Sequence, residues 1–265
     1  MPKIGIPKTV LITGASSGIG YELAKLFAQN HDNLVLVARS ENKLNDIKIN
    51  FEQNYQVIVT VLPKDLSQPN AAEEIFNQLA AEKIQVDVLI NNAGFGDFGE
   101  FVNTSWEKEA DMMQVNMVAL TQITKLFLKG MVERRRGKIV NVASTAAFQP
   151  GPLMAVYYAT KAYVLFFSEA IANELEGTGV TVTALCPGAT ESGFQLASGM
   201  IESRIVKGRK LPTAEAVAKF AYKAIEKGQV VAIHGLLNWI GANVIRFLPR
   251  KVVTDIVRTM QESDR

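Results

Sequence analysis

The chain has 265 residues, 48% of them apolar and 20% charged, a balance that excludes disorder and suits one large α/β domain with a substantial core. A formal net charge of +2 is too small to point to nucleic acid or an anionic membrane. The single cysteine, Cys186, excludes an internal disulfide and fits a reducing, cytoplasmic compartment; with only His31 and His234 far apart beside it, no metal site is expected.

Residues 1–8 lack the apolar core of a signal peptide. The apolar run 8–13 reads as a first strand. It ends in Thr13-Gly14-Ala15-Ser16-Ser17-Gly18-Ile19-Gly20 and passes directly into a helical pattern over 21–29. Glycines at such a turn let the backbone approach a pyrophosphate, to which the helix N-terminus offers unpaired N–H groups. No Lys-Ser/Thr follows the last glycine, so a P-loop is excluded.

Further strands are predicted over 33–38, 56–62, 87–90, 138–143, 180–185 and 229–233. Most are continuous Val/Ile/Leu runs, as strands covered on both faces require. The second is followed by Arg39 and Ser40 where an acidic residue would bind ribose hydroxyls. An arginine there can instead pair with a 2′-phosphate, and Ser40 can add a hydrogen bond and cap the next helix.

Between the strands lie amphipathic runs. Thr104 with Glu107 makes a capping box for a segment reaching towards Lys129, and Arg134, Arg135 and Arg136 read as a solvated helix end. Thr213 caps a helix that stops at Gly228. The stretch 189–211 breaks the rhythm and reads as a lid over a binding site. Residues 230–248 form the most membrane-like segment, but His234, Asn238, Asn243 and Arg246 interrupt it. No spanning helix and no peripheral membrane contact are expected. Without repeats or linkers, residues 1–265 form one domain. Its strand–helix alternation predicts a doubly wound parallel sheet with helices on both faces.

Tyr157 and Lys161 stand four apart in a helical pattern and so share a face. A lysine cation about 5 Å from a phenol, at an effective dielectric near 20, favours the phenolate by roughly 3 kcal/mol, or about two pK units. Tyr158 points about 100° away around the helix. Asn116, amid Val115, Met117 and Val118, is costly there unless partnered.

With Asn91-Asn92-Ala93-Gly94, Asn116, Ser144 thirteen residues before Tyr157, and Pro187-Gly188, these motifs resemble the short-chain dehydrogenase/reductase family over nearly the whole chain. The glycine spacing is Gly14-x-x-x-Gly18-x-Gly20 rather than Gly-x-Gly-x-x-Gly. The resemblance implies a Rossmann-type α/β fold and an oxidoreductase acting on CH–OH or C=O groups. It implies NADP(H) bound by Gly14, Ser16, Ser17, Gly18, Ile19, Gly20, Arg39 and Ser40. Asp65 and Leu66 would meet adenine, Asn92, Ala93 and Gly94 the adenosine ribose, and Pro187, Gly188 and Thr190 the nicotinamide side. Tyr157 and Lys161 would complete those contacts.

By the same resemblance Asn116, Ser144, Tyr157 and Lys161 form a catalytic tetrad, Ser144 holding the substrate oxygen and Asn116 a water linked to the lysine. Phe95, Phe98, Phe148, Pro150, Leu153, Met154 and Phe194 suggest a small, largely apolar carbonyl or alcohol substrate. The helical C-terminal segment, about 236–263, is expected to cover the pocket or form a subunit contact. A homodimer or homotetramer is expected on the Asn116 and Tyr157 helices, with Leu165, Phe166 and Phe167. The competing readings are an NAD(H)-dependent member of the family and a non-catalytic NADP-binding sensor or scaffold.

Overall fold

A computed structural model describes residues 7–200, 203–208 and 210–262. Residues 201, 202 and 209 of the expected lid, residue 263 of the C-terminal segment, and residues 1–6, which bear on the signal peptide, lie outside the described residues. The first half runs β1 (Thr9–Thr13), α1 (Gly18–Gln29), β2 (Asn33–Ala38), α2 (Glu41–Tyr55), β3 (Val59–Pro63), α3 (Ala71–Ala81) and β4 (Val88–Asn91). Then come α4 (Trp106–Met113), a π-helical turn (Gln114–Ala119), α5 (Leu120–Glu133), β5 (Gly137–Val142), α6 (Ala155–Glu174) and β6 (Val180–Cys186). The chain continues through α7 (Phe194–Ser198), α8 (Ala214–Lys227), β7 (Val231–Ile233), α9 (Leu236–Val244) and α10 (Arg250–Gln261).

All seven expected strands form one parallel sheet in the order β3-β2-β1-β4-β5-β6-β7. Alternate residues of β1 explain why its apolar run is unbroken. Val10 and Ile12 pack with Leu23 and Phe27 of α1, while Leu11 packs on the opposite face with Ile75 of α3 and Ile123 of α5. Each such burial is worth about 1.5–3 kcal/mol, so a polar substitution on either face is destabilising. Strand order reverses between β1 and β4, and this opens a crevice at their carboxyl ends.

Several local expectations shift. β3 starts at Val59 because Gln56, at φ 56°, adopts the left-handed conformation that ends α2. The cap of α4 is Ser105 rather than Thr104: the Ser105 hydroxyl accepts from the Lys108 N–H at 3.3 Å. Thr104 instead donates to Glu109 at 2.7 Å. The Arg134 and Arg135 side chains donate to the carbonyls of Val86 and Gly177, each at 3.0 Å, so they fasten two loops as well as ending a helix. Thr213 caps α8 and Gly228, at φ 64°, ends it. Among the described residues no helix is long and apolar enough to cross a membrane, and no cluster of potential ligands could hold a metal ion.

Candidate active site

A cleft of about 620 Å³ opens at the crevice. Its first wall is the turn after β1. Gly14 (φ 67°) and Gly18 (φ 57°) need the left-handed region, and a Cβ on Gly14 would lie 2.9 Å from the Ala93 Cα. The Asn92 amide Nδ2 donates to the carbonyls of Thr13 and Gly14 at 3.0 and 3.1 Å. This bond ties the turn after β4 to the glycine turn, so Asn92 positions the wall through its amide nitrogen. Ser17 is extended at the N-cap of α1 and makes no capping hydrogen bond. The first N–H groups of the helix therefore keep their capacity for an anion.

Gly14, Ser16, Ser17, Gly18, Ile19, Arg39, Ser40, Asp65, Leu66, Asn92, Ala93 and Gly94 all line the cleft, as do Pro187, Gly188 and Thr190. Gly20 does not: it is buried where a Cβ would meet the Gly14 carbonyl oxygen at 2.4 Å, so it serves the packing of α1 under the turn. Ser40 occupies the N-cap of α2 without a side-chain capping bond. Asp65 Oδ1 accepts from the Ser67 N–H at 3.0 Å. Arg39 is exposed and makes no ion pair among the described residues. Lys43, which sequence reasoning missed, lines the same end in the same state. Its signal was present, one helical turn beyond Arg39.

At the other end stand Ser144, Tyr157 and Lys161. Tyr157 and Lys161 lie on one face of α6, with the Lys161 Nζ 5.8 Å from the Tyr157 ring centroid. The ammonium donates to the Val142 carbonyl at 2.7 Å and abuts Gly94, where a Cβ would lie 3.4 Å from it. Burial lowers the Lys161 pKa to about 8. Burial likewise pushes the Tyr157 phenol above its ordinary range, opposed in part by the neighbouring Ser144 hydroxyl. The expected lowering by the lysine is not among these influences, and the cost of desolvating the phenolate sets the direction instead. Burial thus favours the neutral form of the Tyr157 phenol.

Asn116 sits in the π-helical turn, buried, and does not line the cleft. Its Nδ2 donates to the Phe95 carbonyl and to Thr160 Oγ1, each at 3.0 Å, and its Oδ1 accepts from the Phe95 N–H at 3.2 Å. Those bonds meet the cost of the buried amide and brace the loop after β4 against α6.

Phe95, Met154 and Phe194 line the cleft; Phe98, Phe148, Pro150 and Leu153 do not. Phe98 packs behind the wall, and Phe148 lies in the cluster under β6. Within the stretch expected as a lid, the Phe194 ring stands 5.3 Å from that of Tyr157. Tyr158 also lines the cleft, and its hydroxyl accepts from the Gln261 Nε2 of α10 at 2.6 Å. Gln261 and Met200 complete this wall. No local signal in the sequence pairs Gln261 with α6.

The family model described as short chain dehydrogenase matches residues 8–199. The chain belongs to that family. A short chain dehydrogenase of Pseudocercospora fijiensis is 36% identical over 189 residues, which are 70% of this chain and 60% of that protein. The chain thus aligns with less than two thirds of this relative's length. Among solved structures, a short-chain dehydrogenase from Sphingobium yanoikuyae in complex with NADPH superposes with a TM-score of 0.81 at 32% identity, covering 91% of this chain and 94% of the other. A bulky-bulky ketone specific alcohol dehydrogenase from Comamonas testosteroni gives 0.78 at 29%, over 91% and 92%. Both the fold and the family expected from the motifs hold.

Proposed function

We propose that this chain is an NADP(H)-dependent oxidoreductase that interconverts a carbonyl and an alcohol on a largely apolar small molecule. The observation that carries this reading is the convergence of Ser144, Tyr157 and Lys161 on one end of a cleft whose other end is the glycine turn with Arg39. The cradle fits a dinucleotide phosphate. It has an unclaimed helix N-terminus, glycines where a Cβ would intrude, and two exposed basic side chains, Arg39 and Lys43, with no ion pair among the described residues.

When bound, the nicotinamide cofactor supplies or accepts the hydride. Ser144 holds the substrate oxygen beside the Tyr157 hydroxyl. Tyr157, neutral at pH 7, gives that oxygen its proton. A protonated phenol suits reduction of a carbonyl better than oxidation of an alcohol. Lys161 orients the cofactor side of the site through its cation next to Gly94. Asn116 is a positioning residue that fixes the Phe95 loop and, through Thr160, α6.

Arg39, with no carboxylate beside it at the end of β2, supports NADP over NAD, and a similar solved protein carries NADPH. Phe95, Met154, Phe194 and Met200 support an apolar substrate, and a similar protein is specific for bulky ketones. The exposed Val118, Tyr163 and Phe166 on the outer face of α6 and its neighbour support a homodimer or homotetramer there; Leu165 is buried in the core and cannot contribute. The lone buried Cys186 suits a cytoplasmic setting.

The test is loss of NADPH absorbance with ketones of graded size. Tyr157→Phe lowers the rate by about 10²–10⁴-fold while NADPH binding persists. Tight NADPH binding with no turnover of any ketone would overturn the enzymatic reading in favour of a sensor.

A further inference from the structure

The helix α9 is turned inside out. At about 100° per residue, Leu236, Leu237, Ile240 and Val244 share one side, and that side faces solvent: Leu236 is 72% and Leu237 84% exposed. The side facing the protein carries Asn238, whose Nδ2 donates to the His234 carbonyl at 2.7 Å, and the small, buried Ala242. Trp239 of the same helix is also exposed, and past the helix Phe247, 87% exposed, and Leu248 follow. In α10, Val253 and Val257 are buried behind the cleft while Val252, Ile256 and Met260 remain half exposed beside them. A contiguous apolar surface of this kind marks an interaction site.

Charge selects the partner. From Gly228 to Thr254 there is no acidic residue, and Arg246 and Arg250 are exposed within the apolar stretch, with no ion pair among the described residues. A two-fold contact through this segment would set those arginines against their own copies, and the nearest carboxylate in the chain after them, Asp255, is already paired with Lys251 at 2.9 Å. Anionic lipid headgroups above an acyl layer satisfy both the arginines and the apolar side chains, with Trp239 at the boundary. We propose that α9, the turn through Phe247 and the start of α10 form a monotopic docking surface for an anionic membrane. This reverses the expectation from sequence that the chain makes no peripheral membrane contact. It stands independently of which carbonyl the cleft accepts.

The experiment is co-sedimentation of the full chain with vesicles of phosphatidylcholine and phosphatidylglycerol, against vesicles of phosphatidylcholine alone, with Trp239 emission read in a Trp106→Phe background. The expected result is pelleting with the mixed vesicles and a blue shift on binding. Arg246→Gln with Arg250→Gln weakens that binding by roughly thirtyfold, at about 1 kcal/mol per basic residue. Leu237→Glu with Phe247→Glu abolishes it, while NADPH binding and the rate on a water-soluble ketone are unchanged. These side chains are so exposed that the fold tolerates the change, which a thermal melt checks. Absence of pelleting with either vesicle overturns the proposal. So does an outcome in which Leu237→Glu converts a dimer to a monomer in sedimentation velocity without any vesicle association, since a second copy would then cover the face.

Discussion

At the glycine-turn end of the cleft, the walls come from the turns after β1, β2, β3 and β4, each the direct continuation of a strand of the sheet. At the substrate end, Met154 and Tyr158 come from the start of α6, Met200 from the expected lid and Gln261 from α10, and the Tyr158–Gln261 bond spans 103 positions. The first end is stiff because backbone geometry makes it: left-handed glycines, an Asn92 clamp and the sheet itself. The second rests on side-chain packing around one buried hydrogen bond, and two of its residues, Met200 and Gln261, lie in the expected lid and α10. Cofactor recognition thus belongs to the part of the fold that is hardest to alter, and substrate choice to the part that is easiest.

The largest effect that would break this comparison is expected at Gly14. Gly14→Val places a branched Cβ at φ 67° against the Ala93 backbone. A strain of about 2–3 kcal/mol lowers Tm by roughly 5–10 °C. A melt with and without NADPH should also show most of the cofactor's stabilisation gone. If Gly14→Val keeps its full NADPH-induced shift, the cofactor end is not rigid in the sense argued.

Arg39→Ala sharpens the same end. Loss of one charge-assisted contact to a 2′-phosphate weakens NADPH by roughly tenfold to a hundredfold and NADH hardly at all. Equal losses in titration calorimetry would remove the NADP assignment.

Where the two ends meet, Lys161 carries a charge that burial makes easy to lose. The ammonium is the form present below its pKa of about 8 and lost above it. The kcat/KM for reduction therefore falls as pH rises through that value, approaching tenfold per unit. A profile that stays flat until the ordinary lysine range would show that burial does not lower this pKa, and one that stays flat beyond it that the cation is not required.

The smallest effect lies at the substrate end. Gln261→Leu strips the donor from the buried Tyr158 hydroxyl, costing roughly 1–3 kcal/mol of stability. It raises KM for bulky ketones a few-fold and leaves the NADPH Kd unchanged, and steady-state kinetics beside calorimetry separate the two. A matching loss of NADPH affinity would show the two ends to be one rigid unit.

The sequence by itself determined the number and nature of the strands, the turn after β1, and the pairing of Tyr157 with Lys161 on one helix face. Each depends on neighbours within a few positions, where pattern and dihedral preference act directly. Tertiary structure alone decided the rest. Whether Lys161 or desolvation governs Tyr157 depends on how deeply the fold buries both, and burial won. Whether Asn116 faces the cleft or braces the Phe95 loop depended on a partner 21 positions away. Apolar side chains in 236–248 could be read as covering the pocket or as a subunit contact, because a helical pattern gives the existence of an apolar face and not its direction. Only tertiary packing fixed which side of α9 turned outward: Ala242 is buried and Asn238 stands against Gly188, so the apolar side is the exposed one.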